Sequence, residues 1–270
     1  MRIARSIEVA RGAYAVSRLV YALGRLLPFL YAFAIIIAAW LAVLAVFRPH
    51  VSLLPPPTLV AREFWALAAS GELIKHIAAS LSRVFSAWCL AGVVAIPLGL
   101  AMGRIPRFEH AIDPLIELVR PISPLAWIPL AILWFGIGEF GKIFVVLVGT
   151  FFPTLISTVA GVKRIDPVLI HAGQVLGCTD RASLFRKVVL PAALPNIITG
   201  LRISFGTGWA AIIAAELVAA RSGLGYLISN GMEILRADKV LVGMAVIGIL
   251  GVTFDSMFRL MERKISWGAV

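Results

Sequence analysis

Charged side chains are scarce in this chain of 270 residues, which has 25 lysines and arginines against 14 aspartates and glutamates. Apolar residues make up 60% of the sequence, whereas soluble domains contain roughly 45–50%. The few charges are clustered between long uncharged stretches, and they could not cover the surface of a soluble domain of this length. The composition excludes a soluble globular enzyme and an intrinsically disordered chain. It predicts an all-α polytopic membrane protein.

Groups that carry catalysis or bind metals are also rare. Two cysteines, Cys89 and Cys178, provide no disulfide framework. The sequence has no G-x-S-x-G nucleophile elbow and no paired carboxylates inside an apolar run. The four histidines are scattered and never paired at metal-ligand spacing: His50, His76, His110 and His171. We therefore expect no catalytic, cofactor or metal site in this chain.

One glycine-rich stretch resembles two nucleotide-binding motifs. The run Gly136-Ile-Gly-Glu-Phe-Gly-Lys-Ile143 satisfies G-x-G-x-x-G and nearly satisfies the phosphate-binding loop. Ile143 stands where a hydroxyl should bind magnesium, and the flanks are membrane-length apolar runs instead of a strand and a soluble helix. The stretch is therefore expected to be a tight turn between two spans.

Six apolar runs approach or reach the roughly 20 residues that a helix needs to cross a bilayer. They are Phe29–Phe47, Val84–Met102, Pro121–Ile137, Ile143–Val162, Ile197–Ala220 and Val240–Met257. The third run is short and contains three prolines, so a kink or an interfacial start is expected there. Because backbone polar groups in lipid must bond internally, each run is predicted to be a helix.

Lysine and arginine set the predicted orientation, because cytoplasmic loops of membrane proteins are enriched in both. With the N-terminus inside, most of the basic residues fall on the cytoplasmic side. Both termini are thus predicted to be cytoplasmic. The predicted organisation is a basic interfacial lead over 1–28, a transmembrane domain over 29–260 with a cytoplasmic loop over 163–196, and a tail over 261–270.

Two acidic residues fall inside predicted spans. Asp255 and Arg259 are four residues apart on one helix face, which favours a structural ion pair. Glu216 has no basic residue within four positions, and a carboxylate at membrane depth usually faces a cavity or a partner. A structural hydrogen bond and a role in a permeation path are both open for Glu216.

A small-xxx-small pattern at Gly99 and Gly103 permits close helix packing. Packing within one subunit is the commoner use of such a pattern, and a dimer seam is the alternative.

The cytoplasmic loop begins with clear helix signals. Asp166 and Pro167 are typical of a helix start, and Gly177 suits a left-handed cap at the end of that helix. Thr179 and Asp180 can cap a second helix. The loop is therefore predicted to be a helix–glycine–helix knob.

The second helix of the knob is expected to end where Pro191 blocks its continuation. It carries Leu184 and Phe185 as apolar anchors among basic residues. An exposed apolar tip on a protein that is otherwise in lipid is typical of a docking surface.

The knob resembles the E-A-A-x3-G-x9-I-x-L-P signature of ABC importer permeases. His171-Ala172-Gly173 begins the corresponding stretch, with His171 in place of the usual glutamate and Gly173 in place of the second alanine. Gly177 and Val189-Leu190-Pro191 follow at nearly the family's spacing.

Further stretches over roughly residues 50–265 resemble one subgroup, the nitrate/sulfonate/taurine/bicarbonate permeases. They are Leu54-Pro-Pro-Pro57, Arg120-Pro-Ile-Ser-Pro-Leu-Ala-Trp-Ile-Pro129, Trp134-Phe-Gly-Ile-Gly138, Leu190-Pro-Ala-Ala-Leu-Pro195, Gly200-Leu-Arg202, Ala214-Ala-Glu-Leu217 and Gly223-Leu-Gly225.

The resemblance implies a type I ABC importer permease of the bacterial inner membrane, with six transmembrane helices. It implies two cytoplasmic ATPase subunits that bind ATP and Mg and grip the knob, an extracytoplasmic solute-binding protein, and a second permease copy among the membrane lipids. The coupling residues would be His171, Ala172, Gly173, Gly177, Leu184, Phe185 and Pro191. For the translocation path we propose Trp127, Arg202, Trp209 and Glu216.

Two other functions compete with this interpretation. A self-contained secondary carrier or channel would not need the capped knob and usually shows internal repeats, which this sequence lacks. A membrane-embedded enzyme is disfavoured by the missing catalytic groups. The expected solute is small and anionic or zwitterionic, of the taurine/alkanesulfonate, nitrate or bicarbonate class, by analogy with the subgroup.

Overall fold

The structure is a computed structural model that describes residue 31 and residues 34–266, with the surroundings of side chains described as far as residue 262. The predicted basic lead over 1–28 lies outside the described residues. The chain consists of two compact units, Met1–Ala61 and Arg62–Val270. The first contains the short apolar helix α1 (Ala34–Phe47), within the first predicted span. Helix α2 (Pro57–Ala69) begins in the first unit and ends in the second.

The described part of the second unit is built from helices. They are α3 (Glu72–Arg104), α4 (Pro106–Val119), a 3₁₀ turn (Pro124–Trp127), α5 (Ile128–Phe135), α6 (Glu139–Lys163), α7 (Pro167–Val175), α8 (Arg181–Leu184), a π turn (Phe185–Val189), α9 (Leu190–Ala219), α10 (Leu224–Glu233) and α11 (Ala237–Ser266).

Four helices of the described residues are long and apolar enough to cross a membrane. They are α3, α6, the continuous helix Arg181–Ala219 and the described part of α11. Helix α4 and the 3₁₀–α5 segment qualify together as a fifth, broken span, bent by 81°. The all-α polytopic fold is confirmed, while the count of six spans and the cytoplasmic termini stay predictions.

Helix α3 begins twelve residues before the predicted start of the second span, at Glu72. Its first turns carry polar side chains, among them His76, Ser80 and Arg83, which the structure buries inside the protein. The span predicted from hydropathy is therefore too short at its start, because these polar groups find partners inside the bundle and do not face lipid.

Helix α6 packs against both α3 and α9 through glycines. An added Cβ at Gly99 would lie 2.7 Å from the Cβ of Thr158, and one at Gly103 would lie 2.6 Å from the Cβ of Val162. Real Cβ atoms do not approach this closely, so the small residues set the distance between α3 and α6. The packing of the small-xxx-small pattern within one subunit is confirmed.

The third predicted span is broken where its prolines lie. The chain leaves α4 after Val119, and Ser123 caps the 3₁₀ turn by accepting a hydrogen bond from the N–H of Leu125 at 3.4 Å. Pro124 and Pro129 each lie in the first turn of the helical segment that follows, where a missing N–H costs little. Helix α4 itself was not predicted, because it is too polar and too short for a span.

Candidate functional site

The knob, defined as residues 166–190, is shaped by its caps. Asp166 accepts a hydrogen bond from the N–H of Val168 at 2.8 Å and starts α7. Gly177 adopts a φ of +98°, which an L side chain rarely adopts, and the N–H of Cys178 donates to the carbonyl of Gly173 at 3.0 Å. The predicted start and glycine cap of the first helix are confirmed.

The second helix of the knob begins at Asp180, whose carboxylate accepts a hydrogen bond from the N–H of Ser183 at 2.8 Å. Hydrogen bonds from Ser183 lower the pKa of Asp180 below its usual value. The carboxylate therefore stays ionised, and the cap stays intact, until the pH falls through that lowered value.

The prediction that the second helix ends at Pro191 is wrong. Helix α8 continues through the π turn, in which the N–H of Leu190 reaches back to the carbonyl of Phe185, directly into α9. Pro191 lies in the first turn of α9, where its missing N–H is tolerated. The knob is thus joined to a membrane span by unbroken helix from Arg181 to Ala219.

The exposed apolar surface of the knob lies on α7, contrary to the expectation for Leu184 and Phe185. Leu184 is only 4% exposed, and Phe185 packs on the core around Val189. Both point inward because Gly173 leaves room for α8 and the π turn; an added Cβ there would lie 2.7 Å from Val188. The exposed apolar side chains are Val168, Leu169, Val175 and Leu176, at 68%, 51%, 87% and 84%.

The remaining predicted coupling residues lie on the same element or at its exit. His171 and Ala172 are exposed on α7, and the imidazole Nδ1 of His171 lies 2.7 Å from the carbonyl oxygen of Pro167. Pro191 is exposed at the start of α9.

A group of charges, which we call the Arg83 cluster, joins α3, α6 and α9; Arg83, Lys142 and Glu216 are buried, whereas the side chain of Glu139 is 56% exposed. The Nη1 of Arg83 donates to Glu216 Oε1 at 2.7 Å, while its Nε and Nη2 donate to the two carboxylate oxygens of Glu139 at 2.5 and 2.9 Å. Lys142 donates to Glu139 Oε1 at 2.7 Å. Two buried cations are therefore neutralised by one buried carboxylate, Glu216, and one exposed carboxylate, Glu139.

The loop before α10 completes this cluster with backbone groups. The N–H groups of Gly223, Leu224 and Gly225 donate to His76 Nδ1, Ser80 Oγ and Glu216 Oε2 at 3.0, 2.8 and 3.0 Å. Glu216, only 1% exposed, also accepts the one hydrogen bond of the Ser80 hydroxyl, whose oxygen lies 2.9 and 2.8 Å from the two carboxylate oxygens. Its carboxylate is held by structural hydrogen bonds, one of the two possibilities that the sequence left open.

The Arg83 cluster lies at the end of the bundle opposite the knob. Glu139 begins α6 and Glu216 lies near the end of α9, whereas the knob follows the last residue of α6 and precedes the first residue of α9. The two ends of the same helices therefore carry a fixed charge cluster and an exposed apolar surface.

Arg202, one of the residues predicted for the translocation path, is paired with acidic groups of α11. Its Nε donates to Asp255 Oδ1 at 2.8 Å and its Nη1 to Glu262 Oε2 at 3.0 Å. Arg259 donates to Asp255 Oδ2 at 2.7 Å, so the predicted Asp255–Arg259 pair is confirmed. Thr199 adds a hydrogen bond to Glu262.

The two tryptophans predicted for the path lie in different surroundings. Trp209 is 7% exposed, donates to the carbonyl of Ile247 at 3.3 Å and packs beside Phe254. Trp127 is partly buried against Phe144, and within the described part of the chain its indole nitrogen has no hydrogen-bond partner.

A cavity of about 410 Å³ opens beside the broken span. Its walls come from the break between α4 and the 3₁₀ turn together with the start of that turn, from the middle of α6 and from the second half of α9. They include Arg120, Ser123, Pro124, Phe152, Thr207 and Ala211. Arg120 was not among the predicted path residues, because it directly precedes the third predicted span. The signal that marks it is a basic residue at the start of a proline-interrupted apolar run.

Within the described residues, no three or more histidine, cysteine, aspartate or glutamate side chains are placed to share a metal ion. The predicted glycine-rich turn is confirmed, since α5 ends at Gly136 and α6 begins at Glu139. The Arg83 cluster is suited to fixing helices against one another, the knob to transmitting a movement to α9, and the residues beside the broken span to lining a passage.

Comparisons with known proteins agree with this geometry. The family model described as "binding-protein-dependent transport system inner membrane component" matches residues 95–267. The chain is 40% identical to the taurine transport system permease protein TauC of Escherichia coli (strain K12), over 86% of each chain. It is 36% identical to the putative aliphatic sulfonates transport permease protein SsuC of Bacillus subtilis (strain 168), over 90% of this chain and 86% of that one.

A solved structure of the MetNI methionine ABC transporter in an inward-facing conformation has the same fold. One of its chains aligns with a TM-score of 0.64 and 20% identity, covering 73% of this chain and 98% of that one.

Proposed function

The chain belongs to the family of binding-protein-dependent transport system inner membrane components, and we propose a mechanism by which it moves its solute. It is a multi-pass permease subunit of an ABC importer in the inner membrane. Separate ATPase subunits bind ATP and Mg, and their closure pulls the knobs of two permease copies together. The permease then alternates between inward-open and outward-open states.

The observation that carries this proposal is the unbroken helix from the knob into a membrane span. The knob presents four exposed apolar side chains, three on α7 and the fourth, Leu176, directly after it, and α7 is packed on α8 through Gly173. Helix α8 continues without a break through α9 as far as Ala219. A partner that moves the knob therefore moves α9 as a rigid element, with no flexible linker to absorb the displacement.

The partners follow from the two ends of the bundle. An ATPase subunit docks on the α7 surface through Val168, Leu169, Val175 and Leu176, and two such subunits serve a pair of permease copies. The extracytoplasmic solute-binding protein docks at the opposite end, where the Arg83 cluster fixes the ends of α3, α6 and α9. This assignment places the knob in the cytoplasm and agrees with the predicted orientation.

The solute is a small anionic or zwitterionic molecule. The relatives named for taurine and aliphatic sulfonates support this class. Of the residues predicted for the path, Arg202, Trp209 and Glu216 hold α9 against α3 and α11. They act by fixing the wall of the path, while Trp127 lies in the broken span that lines it.

The docking surface is tested with Leu176→Asp in the complete complex with ATPase and binding protein. A charge at this exposed apolar site would remove a contact worth about 1.5–3 kcal/mol. We expect at least tenfold less ATPase to copurify with the permease and ATP-driven uptake to fall to a similar extent. Leu53→Asp, at a leucine that is 77% exposed outside the knob, is the matched control. It should keep wild-type ATPase copurification and wild-type uptake.

The result that would contradict the proposal is normal ATPase binding and normal uptake by the Leu176→Asp complex. Solute uptake by the wild-type permease alone, without ATP or ATPase, would instead indicate a self-contained carrier or channel.

A further inference from the structure

We propose that Arg120 and the cavity beside the broken span form an anion-binding site that selects organic anions with a short apolar body, alkanesulfonates above all. This inference deepens the proposed function, because a site for a transported anion requires a transporter. The site differs from the path residues predicted from the sequence, which are Trp127, Arg202, Trp209 and Glu216.

The cavity lies where the chain leaves helical geometry inside the bundle. The span formed by α4 and the 3₁₀–α5 segment bends by 81° at residues 120–123. Non-helical backbone at membrane depth is tolerated where it is buried in protein or lines a cavity, and transporters bind their solutes at interrupted helices. The other walls span residues 148–156, in the middle of α6, and residues 207–214, in the second half of α9.

Arg120 is the cationic side chain among the residues that line this cavity. It is exposed, and within the described residues it makes no salt bridge. Arg83 and Arg202, by contrast, are each held by two carboxylates. A guanidinium presents a planar fork of donors that matches the oxygens of a carboxylate or sulfonate.

Of the two hydroxyl groups beside Arg120, that of Thr207 is engaged, since it donates to the carbonyl of Gly149 at 2.8 Å. Ser123 Oγ accepts from the N–H of Leu125 at 3.4 Å, and its own O–H can add one hydrogen bond to an anion. The guanidinium is the charged donor among the lining residues and is therefore the principal group that can receive an anion. One such fork binds a single charged head group and leaves the rest of a ligand to the apolar walls.

The apolar walls decide the class of anion. Pro124, Phe152 and Ala211 offer no hydrogen bonds from their side chains, so a small hydrated anion such as nitrate or bicarbonate would lose water there without replacement. An alkane chain gains about fourfold in affinity for each methylene that it buries. A cavity of about 410 Å³ accommodates a chain of several carbons.

An anionic phospholipid shares this chemistry, because it too carries a charged head and apolar chains. The experiment must therefore separate a transported sulfonate from a bound lipid. Ala210, which lines the cavity and is exposed, offers a position where a larger side chain fills the space without disturbing the buried core.

The test measures ATP-driven uptake of methanesulfonate, butanesulfonate, hexanesulfonate and nitrate into proteoliposomes that contain the full complex, with uptake expressed per assembled complex. Arg120→Gln should lower uptake of every sulfonate at least tenfold, and Arg120→Lys should recover more than a third of it. Ala210→Leu should lower the ratio of hexanesulfonate to methanesulfonate uptake at least fivefold. The same binding protein serves all variants, so its own selectivity cancels in that ratio.

Arg107→Gln is the matched control, because Arg107 is an exposed arginine of α4 that does not line the cavity; it should match the wild type. Wild-type uptake by Arg120→Gln, or an unchanged ratio in Ala210→Leu, would overturn the proposed site. So would a phospholipid that copurifies with the wild type and is lost from Arg120→Gln while uptake is unchanged.

Uptake of nitrate without sulfonates by the wild type would overturn the selectivity and leave the proposed function standing. Absence of ATP-driven uptake of all four probes would count against the proposed function itself.

Discussion

Arg83 is the residue on which the largest buried polar network depends. It is 5% exposed and bonds to Glu216, to both oxygens of Glu139 and to the carbonyl and hydroxyl of Ser222. Charges buried in this way are tolerated only while each keeps its partners. The cluster therefore fixes one end of α3, α6 and α9 with little freedom to rearrange.

Replacing Arg83 by methionine leaves Glu216 buried without its cation. We expect Arg83→Met to lower the free energy of unfolding by about 3–5 kcal/mol. Arg259→Met removes an ion pair in which the arginine side chain is 60% exposed, and it should cost about 1 kcal/mol or less. Denaturant titration of the two purified variants beside the wild type measures the difference; equal losses would show that the cluster is not a special anchor.

The role of Arg83 cannot be predicted from the sequence. Arg83 and Glu216 lie 133 positions apart, so no local pattern joins them. The sequence does identify Glu216 as unusual, because a carboxylate in an apolar run demands a partner. By contrast, the Asp255–Arg259 pair is predictable because both groups lie one helical turn apart.

At the scale of elements, the knob depends on the close approach of α7 to the π turn. The ABC permease signature has alanine where this chain has Gly173. An added Cβ at Gly173 would lie 2.7 Å from Val188 Cγ2 and 3.3 Å from Leu184 Cδ1. In this chain the missing Cβ of Gly173 therefore leaves the space that the side chain of Val188 occupies.

This complementarity predicts a rescue. Gly173→Ala should overpack the knob at a cost of about 1–3 kcal/mol and weaken ATPase binding. The double variant Gly173→Ala/Val188→Ala should restore binding to within a factor of two of the wild type. Copurification of the ATPase with each variant checks both statements, and failure of the second substitution to rescue would show that Val188 is not the obstacle.

The caps of the knob were predictable because each acts within three residues, as Asp166 and Asp180 do on Val168 and Ser183. The continuation of the helix past Pro191 could not be predicted, because a proline normally signals the end of a helix. The π turn that precedes Pro191 has no sequence signature of its own. The broken third span was indicated by its prolines, but the cavity beside it depends on α6 and α9 as well.

For the whole molecule, the orientation in the membrane is open to direct measurement. In a background where Cys89 and Cys178 are replaced by serine, Val175→Cys should react with a membrane-impermeant maleimide only from the cytoplasmic side. Leu53→Cys, which follows the first predicted span, should react only from the outside. Both positions are strongly exposed, so in the permease produced without its ATPase the bilayer sets their accessibility to the reagent. Labelling with the opposite sidedness would invert the predicted topology.

The π turn also sets the angular relation between the knob and the span that it drives. A turn closed by an i→i+5 bond holds one more residue than an α-helical turn, and each residue of α-helix advances the chain by about 100° around its axis. Winding the residues from Phe185 to Val189 as ordinary α-helix would therefore turn the α7 surface by roughly that angle relative to α9. The extra residue held in the π turn thus sets the direction in which the α7 surface faces, and with it the direction from which a docked partner would push on α9.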